Sequence, residues 1–523
     1  MFSTLLFLSI LIIGPQPATA ASKTCESLAQ LTLPNTKITF AQPVTSGEFT
    51  PPGRSAVIKG LPPFCRVSAT LTPSADSDIK IEVWFPLSDW NGKYRGVGNG
   101  GFAGFISFDE MAAAIKLGFA TAGTDTGHTG TNAAWALGHH EKVIDFGWRA
   151  IHEMTLTAKA IVQNFFGEVP KRSYFSSCSD GGREALMEAQ RFPSDYDGII
   201  AGAPANYWSR LLTAGMLMQA VTLNGDAYIP AAKLPAITAA VMSACDGLDG
   251  VKDGLLTDPR QCSFDPAVLI CKGAESDSCL TEPQARALKT VYAGLRDAGG
   301  RLYFPGYARG SEESGWNAWI TGAMPGRSIG FFFGSQFFTN MVYEKADWDY
   351  RTFDFADAAK LADSKTAAAL DAIDPNLSEF MKRGGKLIMY HGWNDPAIPP
   401  LNTINYFESV QTRLGSQDTE SFLRLFMASG MGHCGNGPGP NAFGQGGPTG
   451  PDDPEHNIYR ALEQWVERGV APDRLTATKY NDDRNPAQGI KLTRPLCAYP
   501  MVAQYKGSGD PNTATSFSCA RRK

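Results

Sequence analysis

The pentapeptide Ser177-Cys178-Ser179-Asp180-Gly181 sets a serine among small residues. It lies where a β-rich run, Arg172-Ser173-Tyr174-Phe175-Ser176-Ser177, gives way to a helical one that opens Gly181-Gly182-Arg183-Glu184-Ala185. A sharp strand-to-helix turn exposes a serine oxygen for attack, and small flanking residues let the turn close; Ser177 stands where the G-x-S-x-G pattern has its first glycine. A serine hydroxyl is a weak nucleophile at neutral pH. It needs a base within hydrogen-bond reach, and the base needs an acceptor to fix its tautomer.

Asp395 and His433 are the candidates for acceptor and base. Asp395 follows an apolar run ending at His391, and His433 follows one ending at Met427, so both fall in loops after strands. Of the seven histidines, His433 is singled out by its neighbour: Cys434 follows it, as Cys178 precedes Ser179. A bridge between these cysteines would hold their Cα atoms about 4.4–6.8 Å apart and tether nucleophile to base. An oxyanion formed at Ser179 also needs donors. The N–H of Asp180 is one candidate. Gly101, in the glycine-rich run Gly98-Asn99-Gly100-Gly101-Phe102-Ala103-Gly104, is the other, because bare backbone can approach a substrate there. The run lacks dinucleotide spacing and no Walker lysine follows it.

The elements that must position these groups are legible as a pattern. Between about residues 79 and 203, short β-rich runs alternate with helical ones, and the same texture returns at 386–391 and 422–427. Such alternation implies a largely parallel sheet covered by helices. The chain order Ser, Asp, His is that of the α/β-hydrolases. Residues 206–366 differ, with four cysteines, many Gly and Asp, and an aromatic cluster that includes Trp316, Trp319, Phe333 and Phe337. The expected organisation is an α/β-hydrolase core with a large inserted lid domain: a signal peptide at 1–20, a catalytic domain at 21–205 and 367–523, and the lid at 206–366.

The chain has 523 residues, 43% of them hydrophobic, and a formal net charge of -5. No basic excess is present to neutralise phosphates, so no nucleic-acid partner is expected. An apolar run from Leu5 to Ile13 followed by Ala18-Thr19-Ala20 reads as a secretory leader, although no Lys or Arg precedes it. No later segment is long enough to suggest a membrane anchor, and a secreted or periplasmic protein is expected. The ten cysteines, Cys25, Cys65, Cys178, Cys245, Cys262, Cys271, Cys279, Cys434, Cys497 and Cys519, are most simply five disulfides in an oxidising compartment. Proximity favours Cys245 with Cys262, Cys271 with Cys279, and Cys497 with Cys519.

Together these residues resemble the tannase and feruloyl esterase family, from Cys25 through the closing Arg494-Pro495-Leu496-Cys497 segment. The chain is also similar to the mono(2-hydroxyethyl) terephthalate hydrolase of that family. The resemblance implies a serine carboxylic-ester hydrolase acting on small esters of aromatic acids or on phenolic esters of plant cell walls, without an organic cofactor. It also implies a structural calcium ion in the lid, with Asp246, Asp249 and Asp253 as side-chain ligands and Val251 and Leu255 ligating by carbonyl. These lie in Cys245-Asp246-Gly247-Leu248-Asp249-Gly250-Val251-Lys252-Asp253-Gly254-Leu255, where carboxylates at short spacing suit a hard cation. The calcium is expected away from Ser179. Trp319 matches a substrate-contacting tryptophan. Ile398 stands where the terephthalate-ester hydrolase has phenylalanine, and Arg327 is only a loose counterpart of its carboxylate-clamping arginine. A feruloyl ester is therefore favoured over a galloyl or terephthalate ester. A serine peptidase and a non-catalytic binding protein that kept the fold are the rival readings.

Overall fold

The computed structural model describes residues 23–446 and 450–521; the expected leader at 1–20 lies outside them. Nine strands form the central sheet: β1 (Thr36–Val44), β2 (Phe64–Leu71), β3 (Ile79–Pro86), β4 (Lys93–Val97), β5 (Ala120–Thr124), β6 (Arg172–Cys178), β7 (Gly198–Gly202), β8 (Lys386–Gly392) and β9 (Leu423–Ala428). Their spatial order is β1-β2-β3-β5-β4-β6-β7-β8-β9. The first three strands and the β3–β5 pair are antiparallel, and every pair from β5 to β9 is parallel. Parallel strands are covered on both faces and so read as apolar runs rather than alternations. All five residues of β5 and of β7 are buried. This is the mostly parallel, helix-covered sheet of an α/β-hydrolase.

Helices α1 (Ala150–Phe166) and α2 (Asp180–Arg191) follow β5 and β6. From Asp180 to Ala189, α2 is buried on every side. That includes Arg183, whose guanidinium donates to the Phe146 and Gly147 carbonyls and stacks on Phe146 and Trp208.

Between β7 and β8 the chain leaves the sheet. It builds α3 (Trp208–Leu217), α4 (Ile329–Phe337) and α5 (Phe355–Leu370), with shorter helices between them. This insert has its own core of Ile237, Val241, Leu288, Val291 and Trp316, stapled by the Cys245–Cys262 and Cys271–Cys279 disulfides. A second apolar cluster joins insert to sheet, with Trp208, Phe337 and Leu370 packed with Phe102, Phe146 and Ile398. α5 runs across the boundary expected at 366/367 to Leu370; no glycine or proline breaks its alanine-rich sequence.

The expectation that no later segment could suggest a membrane anchor also needs correction. Gly225–Cys245 has a mean hydropathy of 1.2 and the length for a span. Only Leu234–Cys245 of it is α-helix, about 18 Å at 1.5 Å per residue, against a ~30 Å hydrocarbon core. Its apolar face, Leu234, Ile237 and Val241, is buried in the insert.

Candidate active site

Ser179 sits between β6 and α2 with φ of +69°, in the left-handed region that non-glycine residues rarely adopt. Its backbone is pinned on both sides: its N–H donates to Gly202 O at 2.9 Å, and its carbonyl accepts from Ala205 N at 3.0 Å. A Cβ on Gly182 would lie 2.3 Å from Gly202 O, so the helix can approach β7 only with glycine there. Ser177 is accommodated because Gly181 faces it. A Cβ at Gly181 would stand 1.9 Å from Ser177 Oγ, so the space a side chain would need at 181 is filled from 177.

His433 Nε2 is 2.8 Å from Ser179 Oγ, and His433 Nδ1 is 2.8 Å from Asp395 Oδ2. Asp395 is fully buried, and its Oδ1 accepts from Ala397 N at 2.7 Å and Ile398 N at 3.0 Å. A second histidine, at the end of β8, also reaches it: His391 Nε2 lies 3.0 Å from Asp395 Oδ2 and 3.1 Å from Ile398 O. The Ile398 carbonyl can only accept, so His391 carries its proton on Nε2, and its Nδ1 accepts from Thr403 Oγ1 at 2.7 Å. Burial alone would push the Asp395 carboxyl up. His433, then His391, outweigh that and hold it well below the ordinary range, so it stays ionised.

The Cys178–Cys434 disulfide, with a Cα–Cα distance of 6.0 Å, joins the residue before Ser179 to the residue after His433. Cys25–Cys65 and Cys497–Cys519 complete the five. The Cys178→Ser/Cys434→Ser double variant should lose about 2–5 kcal/mol of stability in denaturant titration. Its kcat should fall about ten-fold, because the base then rests on its loop alone. An unchanged kcat would show that the loop positions His433 unaided.

Gly101, with φ of +63°, and Asp180, the first residue of α2, both border the space in front of Ser179. Among the described residues neither backbone N–H has an acceptor within the protein. The Asp180 side chain points elsewhere, to Arg183 Nε at 2.7 Å. That space is a cavity of about 380 Å³ walled by Trp208, Leu211, Leu212, Trp319, Phe333 and Ile398. Trp319 lies parallel to Phe333, ring centroids 6.0 Å apart, and 5.6 Å from the His433 ring. Among the described residues lining the cavity there is no Lys or Arg; Arg327 is not one of them.

Residues 65–520 match the profile of the family described as tannase and feruloyl esterase. The chain belongs to this family. It is 41% identical to an uncharacterized esterase of Xanthomonas campestris, over 96% of this chain and 92% of that one. It is 37% identical to an Aspergillus flavus protein named "probable feruloyl esterase B-2", over 83% and 84%. The crystal structure of feruloyl esterase B from Aspergillus oryzae superposes with a TM-score of 0.88, at 31% identity, over 95% of this chain and 99% of that one. Tannin acyl hydrolase from Aspergillus niger, 24% identical over 94% and 92%, shares the fold with a TM-score of 0.74. Like the family's feruloyl esterases, this chain is a carboxylic ester hydrolase.

The acidic loop at 245–255 packs near the loop that carries His433. Gly254 borders a second cavity that His433 also lines, and a Cβ on Gly430, in the loop carrying His433, would meet Leu255 Cδ2 at 2.6 Å. The donors are all oxygens, the set a hard cation takes. Asp246 Oδ1 caps Gly254 N at 2.9 Å. Asp249 binds Val251 N and Thr257 Oγ1 at 3.2 and 2.8 Å, Asp253 Oδ1 binds Leu255 N at 3.1 Å, and Asp253 Oδ2 pairs with Arg494. Burial, with Asp253 nearby, pushes the Asp249 carboxyl up, a strain that a bound cation would relieve. The three carboxylates are not gathered within 4.8 Å of one another; among the described residues only His152, Glu188 and Asp195 are.

Proposed function

We propose that the chain hydrolyses esters of phenolic acids, feruloyl esters first, by two-step acyl transfer at Ser179. His433 Nε2 takes the Ser179 proton as Oγ attacks the ester carbonyl, while the Gly101 and Asp180 amides receive the oxyanion. His433 then protonates the departing alcohol, and Asp395 holds the imidazolium through Nδ1. Water repeats the sequence on the acyl-enzyme. The observation that carries the reading is the cavity at Ser179: apolar, aromatic-walled and without a cation, it suits a flat, neutral aryl acid. The absence of Lys and Arg among its described lining disfavours a terephthalate monoester, whose free carboxylate would be buried unpaired. The alcohol half faces a roomier cavity of about 840 Å³ that shares only Trp319 and His433 with the first and includes Ser314, Thr238 and Asn436.

Hydrolysis of methyl ferulate, methyl gallate and mono(2-hydroxyethyl) terephthalate by the purified protein tests the substrate class. Highest kcat/KM on ferulate is expected, and preference for the terephthalate ester would overturn the choice. Cleavage of peptides but of none of the esters would move the assignment to a peptidase. Five disulfides support an exported protein.

For calcium, Asp246, Asp249, Asp253 and the Val251 and Leu255 carbonyls would be the ligands, with a structural role. Calcium at one hundred times its Kd should stabilise the chelator-treated protein by about 2.7 kcal/mol, read as a rise in Tm, and Asp249→Asn should abolish the rise. An identical Tm in calcium and in chelator would remove the ion from the account.

A further inference from the structure

The two amides assigned to the oxyanion belong to different elements: Gly101 to the loop after β4, Asp180 to the first turn of α2. Their spacing depends on what ties loop to helix. Asn99 is held from both of its backbone groups. Its carbonyl accepts from Gly181 N at 3.0 Å, and its N–H donates to Glu184 Oε2 at 2.9 Å. The Asn99 side chain donates to the Phe105 carbonyl of its own loop at 2.6 Å and to the Thr124 carbonyl at the end of β5 at 2.9 Å. A glycine on each element, Gly98 in the loop and Gly181 in α2, is fitted to the arrangement. A Cβ on Gly98 would lie 2.4 Å from Glu184 Oε2, and one on Gly181 would lie 2.7 Å from Asn99 O. Glu184 is fully buried, is not part of the lining of the catalytic cavity, and among the described residues its Oε1 has no hydrogen-bond partner. A carboxyl in such a place is costly unless it performs a task that an apolar side chain cannot.

We propose that Glu184 is a positioning residue for the oxyanion hole: a strut from α2 to the Asn99 amide that sets the Gly101 donor at a fixed distance from the Asp180 donor. The inference rests on the reading of Ser179 as nucleophile and of these two amides as its oxyanion donors. The groups around Glu184 suit a neutral strut. Burial, then the Asp180 carboxylate, push its carboxyl up to about 8 against the opposing pull of Arg183. Further along α2, Glu188 sits beside Asp195, and Lys159 of α1 lies near it. Asn99 and Gly98, which meet Glu184 from the loop after β4, carry no charge. In its neutral form the acid still accepts from the Asn99 N–H and puts no negative charge behind the oxyanion.

The test is kcat and KM for methyl ferulate, with circular dichroism and thermal unfolding to verify the fold. Displacing a catalytic donor by ~1 Å costs about 10²-fold, so Glu184→Ala is expected to lower kcat about 30- to 100-fold with KM changed less than about three-fold. Glu184→Gln keeps an acceptor in place and should recover kcat to within about three-fold of the natural protein. Gly98→Ala intrudes on the same contact from the loop side and should reproduce the kcat loss without altering α2. The natural protein should lose kcat above about pH 8 as Glu184 ionises, and Glu184→Gln should not. A folded Glu184→Ala with unaltered kcat, or a Glu184→Gln as slow as Glu184→Ala, would overturn the strut. If the natural protein cleaves no aromatic ester, the substrate reading fails. The strut is then judged by the rate at which a small phosphonate, whose P=O must enter the same hole, labels Ser179 in each variant.

Discussion

Ser179→Ala is expected to leave a folded protein whose kcat on methyl ferulate has fallen by a factor on the order of 10⁵ to 10⁶. The change removes one oxygen at the cavity floor and leaves Gly101, Asp180 and the aromatic walls in place. Substrate should therefore still bind, and KM should change little. Residual turnover of about 10³- to 10⁴-fold over water is expected from the oxyanion donors and binding alone. Folding should survive, because the backbone bonds that pin residue 179 to Gly202 and Ala205 do not involve its side chain. Relief of the positive φ is not expected either, since alanine is as unsuited as serine to φ of +69°. Retention of a tenth or more of the activity, with the variant protein free of contaminating enzyme, would remove Ser179 from the role of nucleophile.

Asp395→Asn is expected to lower kcat about 10⁴-fold with little change in shape. Asp395 Oδ1 accepts from two backbone amides, Ala397 N and Ile398 N, so an asparagine must keep its carbonyl oxygen there. Its NH₂ then faces His433 Nδ1 and the N–H of His391. His433 can meet a donor at Nδ1 only by moving its proton to Nε2, where it can no longer accept the proton of Ser179. The His391 N–H loses the carboxylate beside it, although Ile398 O remains as its acceptor. Steady-state kinetics checks the size of the loss. A fall of less than ten-fold would mean that the histidine loop and the disulfide orient the base without Asp395.

The parts of the site that were legible in the sequence are those whose signal is local. The elbow could be read because strand, small residues and helix succeed one another within a dozen positions. Asp395 and His433 could be read because each follows an apolar run. Cys178 and Cys434 could be read as neighbours of catalytic residues. What stayed hidden depends on distant segments meeting. His391 was one of several histidines until β8 and the turn after it folded its ring back to Asp395. Glu184 was one residue of a helical run, whereas α2 is buried all round from Asp180 to Ala189 and the Glu184 carboxyl meets Asn99 from another loop. The approach of Leu255 to Gly430 was not legible either, because 175 positions of chain separate them. The end of the insert has no local mark, because α5 carries no breaker at which to divide it.

The bond between Cys178 and Cys434 spans 256 positions and encloses the whole insert. During synthesis the nucleophile elbow emerges long before its base, and at roughly 5–20 residues per second the chain waits on the order of ten seconds or more for the second cysteine. Through that interval the insert can fold and close its two local disulfides while Ser179 has no partner. The bond therefore acts as a timestamp: it can be written only after nearly the full chain has arrived and met an oxidant.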